Sequence, residues 1–390
     1  MAYRLSGSPE GSFGSFGSFG SFGSFGSFGS FGSFGSFGSF GAPESPLLAD
    51  AYLTNRSGIV GAWNSPEHAP APNTPEFAGN LLRLSPDVRA SLFNFELCSQ
   101  LGFSFEDHGI PTAKLWRLTP GDNGARHPEE HPFMVMSAPK PAQFLRQLDY
   151  LDTYADLRQD RAAEILTQVS APTPFFATIA FIDPARTPHT LELLAAALRF
   201  TNFAYMRMKY ALALKRPVEF SPQVIPMIPT PTHGTLPSGH ATEAFVIARL
   251  LWRLLRSSRQ DIYSDPKWGA MIMRQAARIA INRTVAGVHF PVDSAAGAFL
   301  GLSLAEIVIA AGRGKTLPAG SYHFDGQAFP EASDFNWHAL YDVKRDRQTA
   351  TDWAHFDRHR DESEEDARKA PETPLEWLWQ KACAEWVELS

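Results

Sequence analysis

The chain has 390 residues, 44% of them hydrophobic, with a formal net charge of −6 and two cysteines. That length suits one large domain or two modest ones, and the acidic balance offers no basic surface for a nucleic acid. Cys98 and Cys383 are too few for a disulfide framework, and their spacing suggests no zinc site.

Residues 11–40 are ten consecutive Gly-Ser-Phe triplets. Gly and Ser keep such a chain flexible, and a phenylalanine at every third position fits neither the helical nor the strand period. Residues 1–45 are therefore expected to be a disordered tail, either dispensable for chemistry or a sticky segment for self-association. The first residues lead into this tract rather than into an apolar stretch, so no secretory signal is read and a cytoplasmic location is expected.

Residues 46–140 are mixed and proline-rich and predict an irregular region that wraps over a core. Helical spacing of apolar residues becomes strong after Ala142, over 142–169, 188–216, 240–257, 266–286 and 294–312. Residues 141–330 thus read as a helical core, and alternating strand-like runs are scarce. The six prolines from Pro217 to Pro237, both ends counted, demand an extended loop. The apolar run Ala295 to Ala311 is slightly short for a membrane span and carries Ser303 and Glu306, so a buried core helix is expected and no span. Residues 331–390 form a polar extension with an acidic, solvated run at 361–366. It ends in a helix opened by Thr373, Pro374 and Glu376. Leu375, Leu378, Trp379, Ala382 and Trp386 share one face of that helix, which reads as a docking surface. The fold class is mainly α.

Three blocks carry chemistry. Lys209 and Arg216 lie seven residues apart, two turns of one predicted helix, and Pro217 ends that helix. They are either a solvated pair or, given Met206 and Leu212 beside them, buried cations that need an anion; Glu219 is the local carboxylate and an imported anion would also serve. Pro237-Ser238-Gly239-His240 opens a helix whose first N–H groups favour negative charge. Gly239 permits close approach of an anion, Ser238 adds a hydroxyl and His240 is placed to move a proton. An ordinary N-cap beside a surface histidine reads the same way. In the third block Arg283 lies on the apolar stripe of its helix, Gly287 breaks that helix, and His289 and Asp293 follow at a four-residue interval. A carboxylate there fixes the tautomer of the imidazole, as would a purely structural pair.

The ordered set Lys-x6-Arg-Pro, Pro-Ser-Gly-His and Arg-x5-His-x3-Asp, spanning 209–293, resembles the signature of one superfamily. That superfamily unites type 2 phosphatidic acid phosphatases, bacterial class A acid phosphatases and vanadium-dependent haloperoxidases. Asn282 departs from it, since serine usually precedes the third-block arginine. The resemblance implies a helical bundle of the acid phosphatase/haloperoxidase type. In it Lys209, Arg216 and Arg283 would bind the equatorial oxygens of phosphate or vanadate, with Ser238 and the Gly239 N–H as further donors. His289 would be the nucleophile, or the ligand of vanadium, oriented by Asp293, and His240 the acid–base group. The run Pro-Ser-Gly-His-Ala-Thr is more similar to the haloperoxidases, and Thr232-His233 is similar to bromoperoxidases, in which a histidine at that place lies near vanadate. His233 has a solvent-facing loop reading beside that one.

The set leans to a vanadate-dependent haloperoxidase, with hydrogen peroxide, a halide (bromide favoured) and a small organic acceptor as partners. Two alternatives stand: a soluble acid phosphatase hydrolysing phosphomonoesters, and a non-catalytic protein that self-associates into a homo-oligomer and keeps a vestigial anion pocket.

Overall fold

The structure, a computed structural model of the chain, describes residues 46–76, 78–120, 125–170, 172–315, 320–357 and 373–388. The Gly-Ser-Phe tail and the acidic run at 361–366 lie outside the described residues. The fold is mainly α. Its helices are α1 (Pro46–Ile59), α2 (Pro86–Cys98), α3 (Pro141–Ala155), α4 (Arg158–Gln168), α5 (Thr173–Ala180), α6 (Pro188–Leu212), the single turn α7 (Pro217–Phe220), α8 (Gly239–Ser257), α9 (Pro266–Val285), α10 (Pro291–Gly312) and α11 (Pro374–Glu388).

At the centre α8 packs against α9 and α10. Apolar residues surround the full circumference of α10, and such a helix belongs in a core; Pro291 through Ala305 are buried without interruption. This is one helix long and apolar enough to cross a membrane, and 83% of its most apolar stretch is buried inside the fold. Contact with α8 is close because Gly297 and Gly301 face it. A Cβ at Gly301 would stand 2.4 Å from the Thr242 carbonyl oxygen, and one at Gly297 would stand 2.5 Å from that of Ser238.

Residues 46–140 are more regular than their sequence suggests. After α2 come strands β1 (Leu101–Asp107), β2 (Pro111–Pro120), β3 (Arg126–Pro128) and β4 (Met134–Ser137). They join β5 (Tyr322–Asp325) and β8 (Ala354–Phe356) in one sheet of order β1-β2-β4-β5-β8, with β3 on β2. All pairs are antiparallel except β4 with β5. The inner face presents Ala113, Leu115, Met134, Met136 and Phe324, and Phe299 of α10 meets the rings of Tyr322 and Phe324. Strands β6 (Tyr341–Asp342) and β7 (Arg347–Gln348) form a separate hairpin.

Two helix expectations need correction. The stretch 142–169 is two helices, because the chain turns at Asp156–Leu157. Arg158 then binds the carbonyls of Val285, Ile225 and Val224 at 2.9, 2.9 and 3.0 Å, which lays α4 across the end of α9. The helix expected to reach 216 ends at Leu212, where Ala213 takes a left-handed conformation and caps it by donating to Lys209 O. The proline-rich stretch after it holds the short α7 and one 3₁₀ turn, Pro222–Val224. In the final helix Leu375, Leu378, Trp379, Ala382 and Trp386 are buried, and Thr373 Oγ1 accepts from Glu376 N.

Candidate active site

Four places in the chain converge on one buried cluster: the last turn of α6, the loop after it, the start of α8, and the turn between α9 and α10. Lys209, Arg216 and Arg283 are all buried. Lys209 and Arg216 do not share a helical face, however. Lys209 projects from α6, whereas Arg216 lies beyond the helix end in extended backbone. The chain reverses after Ala213, and this reversal aims both cations at the same place.

Glu219 is not the side-chain partner of either. Its carboxylate accepts from the Arg216 backbone N–H at 2.7 Å. Lys209 Nζ donates instead to the carbonyl oxygens of Gly234 and Thr235, both at 3.0 Å. Arg216 donates to Val288 O at 2.8 Å and His233 O at 3.0 Å, and to one nitrogen each of His289 and His233 at 3.0 Å. His233 therefore belongs to the cluster through Arg216.

His289 is held on both sides. Because a guanidinium can only donate, Nε2 of His289 is an acceptor and its proton sits on Nδ1. That proton faces Asp293 Oδ2 at 3.0 Å. The carboxylate oxygen also accepts from Phe290 N at 2.9 Å and from the hydroxyl of Thr235 at 2.5 Å. Gly287 makes this turn feasible with a φ of +80°, a region that side chains with a Cβ rarely adopt. Sequence reasoning missed Thr235, since one threonine in a proline-rich loop carries no signal of spacing.

Ser238 caps α8, its hydroxyl accepting from Ala241 N at 3.4 Å. The Ser238 proton remains available for donation. Its backbone N–H donates to Asp293 O at 2.9 Å, tying the second block to the third. Gly239 also meets a second need. A Cβ there would meet the Tyr205 ring at 3.1 Å, so the glycine admits a tyrosine against the helix start. Behind it Asn202 donates to the Tyr205 hydroxyl at 2.6 Å, which donates to Glu243 at 2.8 Å.

Burial governs the protonation states. It pushes His289 well below the usual histidine value, reinforced by Arg216 and Lys209. It does the same to His240, reinforced first by Arg283, and takes His233 down to about 3 with Lys209 and Arg216. All three imidazoles are neutral at ordinary pH. Burial raises Asp293 to about 6 and Glu243 to about 8. It brings Arg283 down to about 10, still protonated. Around this cluster, and among the described residues, His240 Nε2, Arg283 Nε and Nη1, and Gln168 Nε2 have no hydrogen-bond partner. Arg283 donates to the carbonyl of Ile165 and the amide oxygen of Gln168, and among the described residues no carboxylate is bonded to it. Buried donors without acceptors are costly, so this set fits a tetrahedral oxyanion supplied from solution.

The family model described as the PAP2 superfamily matches residues 190–316, the span that carries all three blocks, and the chain has a PAP2 superfamily domain there. Members of that superfamily are usually phosphatases or haloperoxidases. Among solved structures, a bacterial vanadium-dependent iodoperoxidase is similar at 18% identity and a TM-score of 0.30. The match covers 41% of this chain and 48% of that one, so the chain spans about half of that structure. A search of curated proteins finds no match.

Proposed function

We propose that the protein is a vanadate-dependent haloperoxidase-like enzyme that oxidises a halide, bromide first, with hydrogen peroxide and passes the oxidised halogen to a small organic acceptor. A cytoplasmic location and self-association through the Gly-Ser-Phe tail belong to the same proposal. The carrying observation is a set of three buried cations beside orphaned donors, with Arg283 bonded to no carboxylate among the described residues.

In this reading Lys209, Arg216 and Arg283 would hold the oxygens of vanadate, Ser238 and the Gly239 N–H would add donors, and His289 Nε2 would hold the vanadium. Bound vanadate would supply activation of hydrogen peroxide toward halide. His289 brings a neutral lone pair because Asp293 keeps the proton on Nδ1. To use it, Arg216 must release Nε2 and turn its donor to the anion, a trade one guanidinium can make without moving its backbone. A bound anion raises the proton affinity of His240, so this imidazole then holds or gives a proton at Nε2. Charge that develops on the oxygens meets donors already in place. His233, fixed against Arg216, supports the haloperoxidase side.

The same oriented, neutral His289 also supports a second reading, a phosphatase forming a phosphohistidine on phosphomonoesters. Purified protein loaded with orthovanadate is expected to brominate monochlorodimedone in the presence of peroxide and bromide. Hydrolysis of p-nitrophenyl phosphate without bromination would transfer the assignment to the phosphatase. His289→Ala should abolish whichever activity is found, and substantial residual turnover would remove His289 from its role.

A further inference from the structure

We infer that Gln168, at the end of α4, is an additional donor to the bound oxyanion, aimed and locked by a ladder of side chains that runs through Asn282. The inference rests on the anion-site reading above and adds a residue that none of the three sequence blocks contains.

The ladder fixes the amide without ambiguity. Arg161 Nη1 donates to Asn282 Oδ1 at 3.0 Å, so Asn282 presents its NH2 group on the other side. That group donates to Gln168 Oε1 at 3.0 Å, and Arg283 Nη2 donates to the same oxygen at 3.0 Å. A guanidinium stands at each end and neither can accept, so the two amides cannot be flipped. Gln168 Nε2 is then the outward donor. It is fully buried and has no partner among the described residues. Its neighbours include the orphaned Nε and Nη1 of Arg283, and the His240 ring donates a hydrogen bond to the Gln168 backbone carbonyl. Donors from α4 and α9 are thus left over beside His240 of α8, and one oxyanion answers both.

The ladder also gives Asn282 a purpose. It reaches Gln168 as well as Glu164, whose carboxylate it meets at 3.3 Å. Gln168 is neutral, so it holds the Arg283 guanidinium without cancelling its charge, which leaves that charge for the anion.

Isothermal titration of the full chain with orthovanadate, and separately with inorganic phosphate, tests this. Gln168→Met keeps the volume and removes the donor; it is expected to weaken both anions about tenfold, the effect of losing one hydrogen bond to a charged group. The same substitution in an Arg283→Ala background should weaken binding again by a similar factor, because Gln168 touches the anion itself. Asn282→Ala should weaken binding in the parent and have no further effect once Gln168 is Met. Parent-like affinity of Gln168→Met, or loss of its effect in the Arg283→Ala background, overturns the donor role. Failure of the unmodified protein to bind either anion overturns the anion site itself, which separates the two ideas. Unfolding of each anion-free variant identifies any that has merely lost its fold; for those, Gln168→Glu, which keeps the ladder acceptor but puts a carboxylate in the donor's place, should weaken binding more than tenfold.

Discussion

Asp293 and Thr235 show how the charge pattern in the sequence and the geometry around it divide the work. The cations, the two block histidines and the carboxylate were legible because the family signature fixes their types and spacing. Thr235, Gln168, Tyr205 and Glu243 were not: their roles come from approach across helices, which no spacing along one helix records. Thr235 has a measurable part. Its hydroxyl holds Asp293 ionised against the raising effect of burial. Thr235→Val should push the Asp293 value above about 6 and carry the acidic limb of the activity profile to higher pH, with kcat down about tenfold from the lost hydrogen bond. A lower rate with an unmoved acidic limb would assign Thr235 to packing alone.

Among the elements, the helices of the core were readable because one apolar stripe every three to four residues is a strong signal. Their ends were less so. Ala213 stops α6 without glycine or proline, and α3 and α4 separate because Arg158 binds carbonyls distant in sequence. The sheet was invisible for another reason. In β2 the outward positions include Trp116, and the inward Arg117 is paired with Glu129 at 3.0 Å, so polarity does not alternate cleanly. Helix-to-helix spacing depends on glycine. Gly301→Ala would drive a Cβ into the backbone of Thr242, with an expected cost of about 2–3 kcal/mol in chemical unfolding. Gly58→Ala, where a Cβ meets nothing within 4 Å, should be neutral or slightly stabilising. Equal effects at the two positions would mean that α10 yields and the contact is not tight.

On the scale of the whole molecule, the buried titratable groups set how stability depends on pH. Glu243 keeps its proton to about pH 8 in the fold and loses it near 4.5 when unfolded. Its contribution is therefore fully present below 4.5 and is lost as pH rises to about 8. His233 works in the opposite sense, since its value of about 3 costs stability as pH falls below 6.5. Subtracting the unfolding free energy of Glu243→Gln from that of the parent isolates the first effect, because Lys209 and Tyr205, which face this carboxyl, remain in both proteins. That difference should fall by a few kcal/mol between pH 4.5 and 8, at about 1.4 kcal/mol per unit; a constant difference would show that Glu243 is ionised throughout.

The parallel pairing of β4 with β5 has a bearing on inheritance as well as on shape. It joins Met134–Ser137 to Tyr322–Asp325, on either side of the span that the family model recognises. The matched span is thus flanked by two arms that hold each other, and its packed face at Phe299 meets residues of the later arm. A recombination event that exchanged residues 190–316 alone would import a core surface fitted to different arms. Flank and domain must therefore change together over evolutionary time, even though the signature of the site lies wholly within one of them.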